Sequence, residues 1–172
     1  MKNEAEDVQA WMEYVEPYEG ESISHYFGRL RREEANSVSA PTTLSEAAGI
    51  GPALSRWEKF RFNPFPSPKE LEAMGKLVGL TVEQLRAMLP AQGERLVMRS
   101  MRLCGECYRE SPYHRIDWQY ESTEGCEKHR LRLISRCPAC DEKFALPVEW
   151  VEGACKRCGM KFTSMAKRQK PY

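Results

Sequence analysis

Eight side chains in the back half of the sequence have the type and spacing of metal ligands. Cys104-x₂-Cys107 is followed by eighteen residues and then Cys126-x₂-His129, while Cys137-x₂-Cys140 is followed by fourteen and then Cys155-x₂-Cys158. All seven cysteines are used, together with one of the three histidines. Two intervening residues let both side chains of a tight turn reach one ion, and the longer gap supplies a hairpin that returns the second pair. Thiolate and imidazole donors in filled sets of four select Zn²⁺ and build structural sites. The expectation is therefore two structural zinc ions. Unligated core cysteines would not repeat the x₂ spacing four times, and a histidine in one set disfavours an iron–sulfur cluster. Two pairings are open: sequential, giving a Cys₃His and then a Cys₄ site, or cross-braced, joining Cys104 and Cys107 to Cys137 and Cys140.

Little else in the sequence points to catalysis. Metal consumes every thiol, and four protein ligands per ion leave no position for a reactive water. No G-x₄-G-K-[ST] phosphate loop is present. The three aspartates, Asp7, Asp117 and Asp141, fall in different segments, so a two-metal nuclease site would have to come from glutamates alone. A non-enzyme is expected. His25 reads as a partly exposed helix residue, and His114, between Tyr113 and Arg115, as a candidate contact to nucleic acid or a partner.

The elements that must carry these ligands are short. Leu131 and Leu133 alternate with Arg130 and Arg132 as in a half-buried strand, and Ile116, Trp118 and Tyr120 do the same around Asp117 and Gln119. Lys143–Trp150 is a further candidate strand, kept at an edge by Pro147. A region of this kind has little apolar core, so zinc should supply most of its ordering free energy, on the order of 10 to 16 kcal/mol per site.

The front half reads as five helices. Ile23, Tyr26, Phe27 and Leu30 share one face of a first helix near Ser22–Ala35. Thr43 and Glu46 form a capping box for a second, ending at Gly49. Pro52 suits the first position of a third, with Leu54, Trp57 and Phe60 inward. Ser67-Pro68-Lys69-Glu70 opens a fourth that ends at Gly79, and Thr81 with Gln84 caps a fifth. The second and third, joined by Gly49-Ile50-Gly51, match a helix-turn-helix whose second member offers Arg56, Lys59 and the following Arg61 to nucleic acid. Solvated arginines on a helical bundle fit the same residues.

The chain of 172 residues carries a net charge of +1, yet residues 1–21 hold seven acids against Lys2. The six basic residues from Lys156 onward meet no acid. An acidic arm before a basic body suits contact with both protein and nucleic acid. Within the arm, Trp11 and Tyr14 are candidate anchors for a partner, or else they fold back on the helices. Arg130 and Arg132 are candidate nucleic-acid contacts in the zinc region. No apolar stretch is long enough to span a membrane, and the acidic start lacks a signal-peptide core. Reduced thiols fit the cytoplasm. The expected fold class is α+β, small and multi-domain: an acidic arm over 1–21, a helix-turn-helix domain over 22–90, a linker over 91–101, and tandem zinc ribbons with a basic tail over 102–172.

Pro17-Tyr18-Glu19-Gly20-Glu21-Ser22 followed by Ser24-His25-Tyr26-Phe27-Gly28-Arg29-Leu30 resembles the opening of the TniQ family, and helices before tandem zinc ribbons is that family's order. The short length resembles the compact members found in CRISPR-associated Tn7-like transposons with a nuclease-inactive type V effector. That resemblance implies a bacterial target-selection adaptor. It would link the effector, with its guide RNA and the R-loop in target DNA, to TnsC, an AAA+ ATPase that polymerises on DNA and recruits the transposase. The family's ligand pattern matches all eight metal-binding positions named above. Read without the resemblance, a stand-alone helix-turn-helix transcription regulator with a zinc scaffold is the alternative.

Overall fold

A computed structural model describes residues 12–38 and 40–172. Seven helices and one two-stranded sheet make up the regular structure among them, together with short 3₁₀ turns. The helices are α1 (Ile23–Arg32), α2 (Pro41–Ala47), α3 (Ala53–Glu58), α4 (Pro68–Val78), α5 (Val82–Ala87), α6 (Gly105–Glu110) and α7 (Phe162–Met165). The strands are β1 (Gly125–Cys126) and β2 (Leu131–Arg132), antiparallel with Gly125 opposite Arg132 and Cys126 opposite Leu131. The protein is thus α-rich.

Local chemistry explains most helix ends. Ser67 and Glu70 form a reciprocal capping box at α4, and Thr81 and Gln84 do so at α5. Gly79 ends α4 in the left-handed region at φ 75°. The expected box at Thr43 and Glu46 is not made: α2 begins three residues earlier, with Ala40 as N-cap and Pro41, whose missing N–H and fixed φ suit it, in first position. Pro52 in turn is the N-cap of α3 rather than its first residue. Gly49 (φ 70°) and Gly51 (φ 59°) turn the chain between α2 and α3.

Two apolar cores are filled. The first lies among α1 to α5, around Tyr26, Phe27, Trp57, Met74 and Leu85. The second, unexpected from the sequence, gathers Tyr108, Trp118, Phe144, Trp150 and Phe162 with most of the cysteines. Trp150 and Phe162 rings sit 4.8 Å apart, and Phe144 and Phe162 5.3 Å apart. Zinc therefore does not carry this half alone. Phe60 leaves α3 at φ 57° and joins the second core instead of the first.

Two expected strands are 3₁₀ turns. Ile116–Gln119 is stabilised by Trp118 N–H to Arg115 O and Tyr120 N–H to Asp117 O, and its alternation arises because Ile116 and Trp118 are buried on either side of exposed Asp117. Pro147 opens the turn Pro147–Glu149, the placement its ring prefers.

The halves are sewn together by the backbone around α1. Ser22 N–H donates to His114 O at 2.9 Å, and Ile116 N–H donates to Gly20 O at 2.9 Å. Val148 N–H donates to Ser24 Oγ at 3.1 Å, while its carbonyl accepts from Arg32 at 2.6 Å. Gly28 makes room for this contact, since a Cβ there would stand 2.5 Å from Val148 O. Helix α1 consequently lies between both cores. Its apolar stripe faces the other helices, and Ser24, His25 and Gly28 face the zinc half. The segment 91–101 also lies against the second half, with Val97 N–H donating to Gln119 O and Leu96 bridged to Tyr120.

Candidate metal centres

Ligands meet in sequential sets. Cys104, Cys107, Cys126 and His129 form one cluster, and Cys137, Cys140, Cys155 and Cys158 the other, each with its donor atoms within 4.8 Å of one another. The cross-braced alternative is not what the fold builds.

In the first cluster Cys104 caps the start of α6 and Cys107 lies one turn along it. Cys126 and His129 stand at the tip of the β1–β2 hairpin. His129 turns Nδ1 inward, 3.3 Å from Cys107 Sγ, 3.4 Å from Cys126 Sγ and 3.8 Å from Cys104 Sγ, and Cys107 and Cys126 Sγ are 3.5 Å apart. A tetrahedral zinc with bonds of about 2.3 Å to sulfur and 2.0 to 2.1 Å to nitrogen needs edges of roughly 3.5 to 3.8 Å. The geometry fits zinc. Outside the cluster, His129 Nε2 faces Glu110 Oε1 at 3.0 Å, and Glu110 also receives Lys128. Hydrogen bonds from Lys128 and His129 hold the Glu110 carboxyl down at about 2. A carboxylate behind the ring fixes its orientation and raises its basicity as a ligand. A hydrogen bond from Cys107 brings the Cys104 thiol to about 5, and donating that bond, together with burial, pushes the Cys107 thiol up. A divalent cation would displace such protons from all the thiols.

The second cluster is more exposed, with Cys137 and Cys158 Sγ 3.5 Å apart and Cys140 and Cys155 3.6 Å apart. Its two turns share one hydrogen-bond pattern. Asp141 N–H donates to Cys137 O and Gly159 N–H to Cys155 O, while Cys137 N–H donates to Glu142 O and Cys155 N–H to Met160 O. Burial pushes Cys155 up, but N–H donors of Cys158 and Arg157 outweigh it and bring the thiol to about 7. The residue four past the first ligand has positive φ in three of the four knuckles: Arg130 (53°), Asp141 (60°) and Gly159 (74°). In the remaining one, Cys104, the chain continues into α6. Around the second cluster the strands shrink to isolated bridges, Arg136 to Lys143 and Ala154 to Lys161.

The TniQ family model matches residues 14–133. The chain belongs to the TniQ family. Membership indicates a protein associated with Tn7-like transposition. The match spans the helical half and the whole first cluster of this TniQ chain, and the second cluster lies beyond it. Comparison with curated proteins returns no match.

Other residues singled out in the TniQ sequence are scattered. Lys59 and Arg61 are exposed after α3, but Arg56 is half-buried with its Nη1 lacking a hydrogen-bond partner. Arg130 and Arg132 are exposed beside the first cluster. Trp11 lies outside the described residues. Tyr14 is 46 % exposed and donates to Glu16, while Met12 and Val15 pack back on the helical core.

Both remaining histidines correct the sequence reading. His25 is 2 % exposed because the zinc half covers the polar side of α1. Its Nδ1 donates to Glu21 Oε1 at 2.5 Å, and Arg29 grips the same carboxylate through Nε at 2.9 Å and Nη2 at 2.7 Å. His114 is fully buried, with Nδ1 2.9 Å from Ser22 Oγ and its ring 5.1 Å from that of Trp150. Neither can touch a partner. Sequence reasoning also missed Glu110, whose only signal is its place one turn past Cys107.

Proposed function

We propose that this TniQ chain is a non-catalytic, bacterial cytoplasmic adaptor for target selection in an RNA-guided Tn7-like transposon. It would join a nuclease-inactive type V CRISPR effector, at its R-loop, to the AAA+ ATPase TnsC. The observation that carries the reading is the family match over residues 14–133, a stretch that takes in the helices α1 to α6 and the first cluster. Each cluster offers four donors, the complement of a structural rather than a catalytic zinc. We read α2, its double-glycine turn and α3 as a helix-turn-helix, with Lys59 and Arg61 at its exposed end, and the cluster hairpins as reduced zinc ribbons. The acidic arm, with Trp11 and Tyr14, is the face assigned to TnsC.

A gel-shift on target DNA, run with and without TnsC and the guide-loaded effector, tests this. An adaptor binds poorly alone and gains occupancy with its partners. Tight binding of a defined duplex by the isolated chain, unaltered by the partners, would establish a transcription regulator instead.

A further inference from the structure

The free edge of β2 is lined by residues 170–172. Leu131 is bridged to Pro171, Arg132 N–H donates to Lys170 O at 2.9 Å, and Tyr172 N–H donates to Arg130 O at 2.8 Å. These bonds lay the Tyr172 ring on Gly125 of β1. A Cβ at Gly125 would stand 2.2, 2.5 and 2.6 Å from Cγ, Cδ1 and Cδ2 of that ring, so the ring rests by its face on the glycine. Even so, Tyr172 is 40 % exposed. The guanidinium carbons of Arg130 and Arg132 lie over it, 5.8 and 5.9 Å from the ring centroid. On another side the ring borders a cavity of about 500 Å³ lined also by Arg115, Asp117, Trp118, Thr123 and Lys128.

An aromatic ring fixed by backbone hydrogen bonds, with guanidinium groups over it at a distance beyond direct stacking contact, is an arrangement on which an unpaired base can stack. A duplex keeps its bases stacked on one another and offers none to the ring. Asp117 and Thr123 add acceptors suited to a ribose hydroxyl, the group that separates RNA from DNA. Glu127 also lines that cavity, while Glu124 competes only weakly for the arginines. Glu124 reaches Arg132 only at 3.5 Å, with both side chains more than half exposed, a pair worth about 0 to 1 kcal/mol and readily exchanged for phosphate. Arg130 and Lys170 make no ion pair among the described residues.

We propose that Tyr172 is a stacking platform for one unpaired nucleotide of single-stranded RNA, with Arg130 and Arg132 holding the adjoining phosphates. The proposal deepens the adaptor reading by naming one RNA contact. Because it is tested with protein and oligonucleotide alone, it can fail while recruitment of TnsC stands.

The test is fluorescence anisotropy of a labelled short oligouridylate, the matching oligodeoxythymidylate and an RNA duplex, titrated with the zinc-loaded full chain at low salt. Oligouridylate should bind best. Tyr172→Ala should weaken it at least about fivefold, Tyr172→Phe should not, and Arg130→Ala should lower the salt slope by about one phosphate contact. Zinc content of each variant is checked by native mass spectrometry. If Tyr172→Ala sheds zinc, Tyr172→Leu keeps an apolar cover on Gly125 without an aromatic face, and its loss of RNA binding gives the same support. Preference for duplex or for DNA, or wild-type RNA binding by a zinc-loaded Ala or Leu variant, overturns the assignment.

Discussion

Replacing Gly28 with alanine puts one methyl group where the two halves meet. In an isolated helix that change is favourable by about 1 kcal/mol. Here the new Cβ would stand 2.5 Å from Val148 O and 2.8 Å from Val148 Cα, closer than atoms of these types approach. The neighbour is backbone and cannot rotate away. Val148 is moreover held on both sides, by Ser24 Oγ on its N–H at 3.1 Å and by Arg32 on its carbonyl at 2.6 Å. Overpacking costs about 1 to 3 kcal/mol, and weakening two hydrogen bonds adds about 0.5 to 1.5 kcal/mol each. Subtracting the helix gain leaves roughly 1 to 5 kcal/mol of destabilisation. At about 2 to 4 °C per kcal/mol for a chain of this size, thermal unfolding of the zinc-loaded protein followed by circular dichroism should shift down by roughly 2 to 20 °C. Arg32→Ala should lose part of the same contact, and the two changes should be less than additive because they share Val148. A midpoint for Gly28→Ala at or above that of the parent would refute the claim that α1 is clamped between two cores.

Glu110→Ala should weaken zinc at the first cluster by about 10- to 100-fold, read by chelator competition with the second cluster as internal reference. Complete stripping of both ions should speed hydrogen exchange in α6 and the β1–β2 hairpin while leaving α4 and α5 protected. His114 has its pKa lowered to about 3 by burial, then by the charge of His25. The unfolded chain therefore takes up a proton that the folded chain refuses, so this group stabilises the fold fully above about 6.5 and loses that contribution as pH falls from there toward 3. The slope is at most about 1.4 kcal/mol per pH unit. The His114 ring should keep neutral imidazole shifts by NMR down to pH about 5, and His114→Asn should flatten the acid limb of the stability curve.

Positions whose structural consequence is local were legible in the sequence. The x₂ spacings gave all eight ligands, though not their pairing into sets, and Ser67 with Glu70 and Thr81 with Gln84 gave two helix starts. Misreadings arose where a distant segment decides the environment. His25 looked half-exposed because a helical wheel cannot show that Trp150 and Tyr113 lie over its far side, with ring centroids 6.5 Å away in each case. Ile116, Trp118 and Tyr120 alternate as a strand would, yet of the three only Tyr120 is bridged, to Leu96, and the backbone across Ile116–Gln119 closes i to i+3 bonds instead. The second core was invisible because Phe144, Trp150 and Phe162 are spaced without helical or strand period and meet only through the metal turns.

The cover for one side of α1 comes from Val148 and Trp150, which fall after the residues shared with the family. A homologue that exchanges that later stretch must find another lid for the positions equivalent to Ser24, His25 and Gly28. Those three sites and the lid should therefore evolve as a unit. A chimera joining the first 133 residues of this chain to a foreign continuation would inherit a carboxylate-anchored imidazole that keeps Tyr113 but loses Trp150, unless both sides of the seam were transplanted together.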